Sequence, residues 1–286
     1  MNRFEVTKKA GILGILANLF LFLLKIIVGL LSKSQAMIAD GFNSIGDVFA
    51  SFMTFIGNKI ASVSDDEDHN FGHGKAEYIF SMFISISILV IGIKLLYDAI
   101  ISLILNNKVY FSIYLVLVCL FTITIKLILY FYTKRLYNKE KNILLKSSML
   151  DHRNDVFLTS GVLLSVLFSK LGIYFVDGLV GIIISIWFLL SGIKLFKESY
   201  NVLMDISLDK ETKEKIIKMC MKEDGVLLVE DIHSVSIGYK YIVVLTIGVS
   251  GNLDTFTSHK IATLIEKKIT KSFDNVKEVF VHINPI

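Results

Sequence analysis

The sequence predicts a polytopic α-helical membrane protein: six transmembrane helices followed by a small α+β domain. Three observations carry that expectation. Hydrophobic residues make up 53% of the 286 positions, and the mean hydropathy is +0.64, well above that of a soluble domain. The apolar residues fall in several stretches of about 18 or more, enough to cross a hydrocarbon core of about 30 Å. Near Asp205 the composition changes to a charged, alternating pattern typical of a folded aqueous domain.

The spans are expected at residues 10–31, 36–60, 77–101, 109–133, 146–170 and 176–199. The first is long and lacks a cleavage site of small residues, so it reads as a retained helix. Loop charges set the orientation. One side carries Arg3, Lys8, Lys9, Lys59, Lys75, Lys134, Arg135, Lys139, Lys141 and Lys146, and the other only Lys33, Lys108 and Lys170. Both termini are therefore expected in the cytoplasm, in an integral protein of the plasma membrane with lipid as its surroundings. The net charge of +4 gives no reason to expect a nucleic-acid partner. Cys119 falls in a predicted span and Cys220 in a cytosolic helix, which argues against a disulfide framework and a thiolate metal site.

The division is expected at residues 1–204 for the membrane domain and 205–286 for the cytosolic one. In the second, Asp209 is placed to cap an amphipathic helix running to Lys222. Val226–Ile237 and Tyr241–Val249 are β-rich and joined by Gly238-Tyr239-Lys240, a hairpin signal. Residues 254–271 carry Ile261, Leu264, Ile265 and Ile269 at helical spacing, and Val276–Ile283 closes as a strand. The order αββαβ predicts a small sheet with helices on one face.

The residues that bear chemistry lie inside the apolar runs. Asp151-His152-Arg153-Asn154-Asp155 opens the fifth span, and its two aspartates, four apart, stand on one helix face. Asn43 and Asp47 have the same relation in the second span. Both pairs lie about ten residues, or ~15 Å, from an end of their helices, so both reach mid-membrane. A carboxylate at that depth costs roughly 2.5–3.5 kcal/mol on insertion scales, and neighbouring carboxylates repel. A divalent cation between them is the simplest remedy. Asn43, Asp47, Asp151 and Asp155 together offer only oxygen, which suits Mn²⁺ first, with Fe²⁺ and Zn²⁺ as alternatives. The competing reading pairs these carboxylates with the membrane lysines Lys25, Lys94, Lys126 and Lys194.

These motifs resemble those of the cation diffusion facilitator family of divalent-metal exporters. The likeness rests on the N-x3-D and D-x3-D pairs and on Asp66-Glu67-Asp68-His69-Asn70-Phe71-Gly72-His73-Gly74-Lys75-Ala76-Glu77, which is similar to the family's D-x2-H-x3-H-G-K-A-E signature. It covers nearly the whole chain and implies a homodimer with a metallochaperone-like cytosolic domain, exchanging metal for protons by alternating access. Asn43 and Asp151 stand where zinc-transporting members often have a histidine, an arrangement similar to the manganese-exporting branch. The resemblance makes Asn43, Asp47, Asp151 and Asp155 the transport site and Asp66, His69 and His73 a second metal site in a cytoplasmic loop. Two imidazoles and a carboxylate within eight residues fit such a site on spacing alone. In the cytosolic domain His259 and His282 match metal-binding positions of the family, whereas Glu230, Thr246 and Asn284 replace other ligands. Lys75 and Asp205 match a charge pair that ties the third span to the cytosolic domain.

The resulting expectation is a transporter that is not an enzyme and has no cofactor, with an Mn²⁺ ion as cargo and a proton as counter-ion. Proton uptake by the three clustered carboxylates supplies the coupling. Two readings from other classes compete. An intramembrane aspartyl protease needs two membrane carboxylates, but its G-x-G-D motif lacks a counterpart in Ser44-Ile45-Gly46-Asp47. A membrane-anchored metal sensor would need a stronger ligand set in the cytosolic domain.

Overall fold

The computed structural model describes residues 3–31, 35–105, 111–173 and 175–286, with side chains described except at positions 29, 31, 35–43, 105, 169 and 177. Six long helices come first: α1 (Arg3–Leu31), α2 (Gln35–Ala61), α3 (Ala76–Leu105), α4 (Ile113–Glu140), α5 (Ile143–Ser169) and α6 (Phe175–Leu203). At 1.5 Å per residue each is about 40 Å long, sufficient to span a bilayer. Among the described residues α1, α3, α4 and α6 contain the long apolar windows of a spanning helix. The other two, α2 and α5, are the helices that carry the acidic pairs.

The chain forms two compact units: residues 3–63 with 76–200, and residues 64–75 with 201–286. In the first, α1 packs on α2, α4 on α5, and α2 on α3, while α5 also touches α2 and α3. Its surface is apolar, with Leu16, Val90, Ile93, Ile128 and Leu190 exposed. Its interior is rich in polar residues, including Asn18, Ser51, Thr54, Ser81 and Ser147. That inversion suits a molecule whose solvent is lipid, where helices associate through close packing and hydrogen bonds. Thr54 Oγ1 pairs with Ser148 Oγ at 2.9 Å and Ser81 Oγ with Ser147 Oγ at 2.8 Å, joining α2 and α3 to α5.

One end of this bundle is fixed by charge. Arg3 donates to Glu77 Oε2 at 2.7 Å, and Asn142 donates to Glu77 Oε1 at 2.9 Å. Asn142 also caps α5 by accepting from Leu144 N at 2.7 Å. The starts of α1, α3 and α5 thus share one buried carboxylate.

The second unit follows the expected αββαβ order: α7 (Lys210–Cys220), β1 (Val226–Ser236), β2 (Tyr241–Val249), α8 (Thr255–Ser272) and β3 (Val276–Pro285). Asp209 and Asp254 cap the two helices, accepting from Thr212 N and Thr257 N. Those bonds hold both carboxyls below the ordinary carboxylate range. β2 is central, antiparallel to β1 and parallel to β3, with α8 as the crossover. Strand alternation buries Val243, Leu245, Ile247 and Val249 against Ile216, Ile261, Ile265 and Ile269 of the helices. Cys220 is in that core and, like Cys119, is a free thiol. Burial, with Glu223 nearby, pushes the Cys220 thiol up to about 11.

The loop 64–75 lies on this second unit. Lys75 Nζ donates to Asp205 Oδ1 at 2.8 Å, and Lys277 Nζ donates to the Phe71 carbonyl at 3.3 Å. The Lys75–Asp205 pair is more than a third exposed, so it contributes at most about 1 kcal/mol. Backbone fit does more. Gly238, at φ +88°, turns the β1–β2 hairpin directly against Gly74, and a Cβ there would lie 2.7 Å from the Gly74 carbonyl carbon.

Gly238→Ala should therefore strain the hairpin by roughly 1–3 kcal/mol. In the full-length protein it should expose the loop to limited proteolysis. Gly251→Ala, which would place its Cβ no closer than 3.7 Å to another atom, is the control and should leave cleavage unchanged. Equal cleavage in both variants would remove the hairpin from the seating of the loop.

Candidate metal centre

The acidic turns of α2 and α5 converge. Asp47 and Asp155 are buried at 7% and 8% exposure, and a single ammonium joins them. Lys126 of α4 donates from Nζ to Asp47 Oδ2 at 2.8 Å and to Asp155 Oδ2 at 2.5 Å. Its own exposure is 1%. The lysine pairing that competed with a metal in the sequence is therefore present for Lys126, one of the four lysines considered. Lys25 donates to Ser44 Oγ at 3.2 Å.

Asp151, His152 and Asp155 each place a ligand atom within 4.8 Å of the others. Asp47, Asp151 and Asp155 are thus brought to one place. The side chain of Asn43, the fourth expected member, lies outside the described residues, although its backbone is in α2.

His152 is a residue that sequence reasoning passed over. It is 2% exposed, and its Nδ1 has no hydrogen-bond partner. On a helix, position 152 is three residues before 155 and so shares part of its face. An imidazole nitrogen thus lies beside the carboxylates, in addition to the oxygen donors expected from the sequence. The available signal was its place inside a polar pentapeptide that is otherwise flanked by apolar residues.

Neighbouring helices hold this cluster in place. Asn18 of α1 donates to the Asp47 carbonyl at 3.1 Å and to Ser51 Oγ at 3.1 Å, fixing α2 one turn beyond the aspartate. Arg153 points away from the carboxylates. Its guanidinium lies 5.1 Å above the Trp187 ring and donates to Ser191 Oγ at 2.9 Å, tying α5 to α6.

The loop residues also converge. His69 Nδ1 lies 3.1 Å from Asp66 Oδ1, and His73 Nε2 lies 3.6 Å from Asp66 Oδ2. The two imidazole rings are 4.3 Å apart, and one ligand atom from each of the three residues falls within 4.8 Å of the others. The His69 backbone N–H donates to Asp66 Oδ1 at 2.6 Å. Desolvation raises the Asp66 carboxyl, but the hydrogen bonds from His69 and the charges of His69 and His73 together outweigh it and leave the group below its ordinary value. Asp66 is therefore a carboxylate at neutral pH, ready to share a cation with the imidazoles.

In the αββαβ domain His282 faces Thr246 in the β2–β3 register, and His259 lies on an exposed part of α8. Asn284 donates to Glu230 Oε2 at 2.6 Å, so two of the replaced positions bond to each other. Among the described residues, the groupings with metal-ligand spacing are the membrane and loop clusters, and neither includes His259 or His282.

Comparison with known proteins agrees with this two-part architecture. The cation efflux transmembrane domain matches residues 11–204, and the cation efflux protein cytoplasmic domain matches residues 208–286. The chain is 30% identical to the manganese efflux system protein MneS of Bacillus subtilis, over 100% of this chain and 99% of that protein. It is 27% identical to MneP of the same organism, over 99% and 98% of the two chains. The magnetosome protein MamM of Magnetospirillum gryphiswaldense is 26% identical, over 96% of this chain and 87% of that protein. With both of its domains matched in order, the chain belongs to the cation efflux family.

Proposed function

We propose that this protein exports Mn²⁺ across the plasma membrane in exchange for protons, through a site made by Asn43, Asp47, Asp151 and Asp155. The observation that supports this most directly is the meeting of Asp47 and Asp155 from different helices inside the lipid-embedded unit. Carboxylates so placed need a positive partner, which is Lys126 in this structure and the transported ion during the cycle. Hard oxygen donors suit Mn²⁺, and the names of MneS and MneP point the same way.

The transport cycle follows from charge balance. From the cytoplasmic side the ion binds the carboxylates and displaces protons they carry. Rocking of the helices then turns the site outward, where returning protons weaken coordination and the ion leaves. Asp66, His69 and His73 form a second site on the loop, where they raise the local metal concentration. The cytoplasmic domain joins two copies into a homodimer, and both termini lie in the cytoplasm. Zn²⁺ is the second reading for the cargo. The His152 nitrogen beside Asp151 and Asp155 favours it.

Proteoliposomes test the proposal. Mn²⁺ uptake should be accompanied by proton movement in the opposite direction, reported by a pH-sensitive dye. Asp47→Ala, Asp151→Ala and Asp155→Ala should each reduce uptake to that of protein-free liposomes, and wild-type rates in any of them would refute the site. A protease or sensor would move no ion at all.

Two substitutions probe selectivity and the loop. Asn43→His adds an imidazole and should shift preference toward Zn²⁺ in competition uptake; an unchanged ratio would show that position 43 does not choose the ion. His69→Ala together with His73→Ala should lower uptake severalfold at limiting Mn²⁺ and recover at saturation. A loss that saturating Mn²⁺ fails to restore would contradict a role in metal capture.

A further inference from the structure

Lys126 has no assigned part in the cycle above, yet its ammonium stands between the two carboxylates that a bridging metal ion would join. We infer that Lys126 is a tethered cation that competes with the transported ion for Asp47 and Asp155 and so sets the affinity of the site. The inference rests on the membrane site proposed above.

The geometry leaves little choice about competition. Nζ is 2.8 Å from Asp47 Oδ2 and 2.5 Å from Asp155 Oδ2, both within charge-assisted hydrogen-bond range. A metal ion coordinated by those oxygens needs the same space, so the ammonium must withdraw before coordination completes. Lysine suits this because its charge sits at the end of a flexible four-carbon stem. Lys126 comes from α4, whereas the carboxylates come from α2 and α5. It can withdraw without distorting either acidic turn.

Release follows from the same competition: the ammonium's return to Asp47 and Asp155 helps expel the ion.

Lys126→Gln and Lys126→Arg test this in opposite directions. The first removes the competitor. At a separation of 4 Å and an effective dielectric of 20, two unit charges interact by several kcal/mol, so Mn²⁺ should bind at least about tenfold tighter. Turnover in proteoliposomes should fall while KM falls with it, because release becomes slow. The second installs a planar fork that can hold carboxylates bidentately, and Mn²⁺ should bind severalfold more weakly. A purely structural lysine would weaken binding in both variants or change neither.

Binding is measured by calorimetry on full-length protein in nanodiscs, after a monodisperse elution profile shows that each variant is folded. Lys126→Met, an apolar chain of similar length, substitutes if Lys126→Gln does not fold and carries the same expectation. Unchanged or weaker binding in the folded neutral variant overturns the inference. Asp47→Asn and Asp155→Asn separate the two levels. If they bind Mn²⁺ as the wild type does, the membrane site itself is wrong. If they lose binding while the neutral lysine variant matches wild type, the competitor role alone fails.

Discussion

Buried charge governs this structure. Two carboxylates from separate helices and one ammonium from a third meet in a unit whose outer surface is apolar, and each has almost no access to water. Any one of the three alone would cost several kcal/mol in such surroundings, and removing a partner from a buried pair costs about as much. Together they satisfy one another. The helices α2, α4 and α5 are consequently held by a contact that hydrophobic packing could not supply, since lipid offers apolar side chains no preference for each other over itself. In the proposed cycle this contact exchanges one positive partner for another.

Directional hydrogen bonds hold the helices around that contact. Asn18 steadies the backbone at Asp47, and hydroxyl pairs align α2 and α3 with α5. At one end, Glu77 gathers Arg3 and Asn142. These are directional bonds between helices, and they surround the carboxylates without competing for them. The loop cluster of Asp66, His69 and His73 differs in character, being exposed, preformed and held on the αββαβ unit by the Gly74–Gly238 backbone fit. The loop cluster is open to water, whereas the carboxylates of the membrane cluster are almost wholly cut off from it.

Much of this was legible in the sequence because its signals are local. Helical spacing placed Asp151 and Asp155 on one face, the cap at Asp209 announced α7, and the apolar spacing of Ile261, Leu264, Ile265 and Ile269 announced α8. The β-rich runs Val226–Ile237 and Tyr241–Val249 marked two strands, and the hairpin between them followed from Gly238-Tyr239-Lys240. What stayed hidden depends on how distant segments meet. Lys126 sits in an ordinary apolar run with no partner nearby in sequence, and four membrane lysines competed equally for the carboxylates. Only the approach of α4 to α2 and α5 brings its ammonium onto the Asp47 and Asp155 oxygens. His152 was hidden for another reason: the i, i+4 pattern of the aspartates drew attention to one face and away from the residue beside it.

The central claim is that Asp47, Asp151 and Asp155 hold the transported ion in place of the Lys126 ammonium. The most direct measurement is a structure of the full-length protein with Mn²⁺, with the ion located by its anomalous scattering. The account predicts a peak between those three carboxylates, with Lys126 Nζ withdrawn from both Asp47 and Asp155. A membrane domain in which the ion binds elsewhere, or in which Nζ still bridges the two aspartates beside a bound ion, would contradict it.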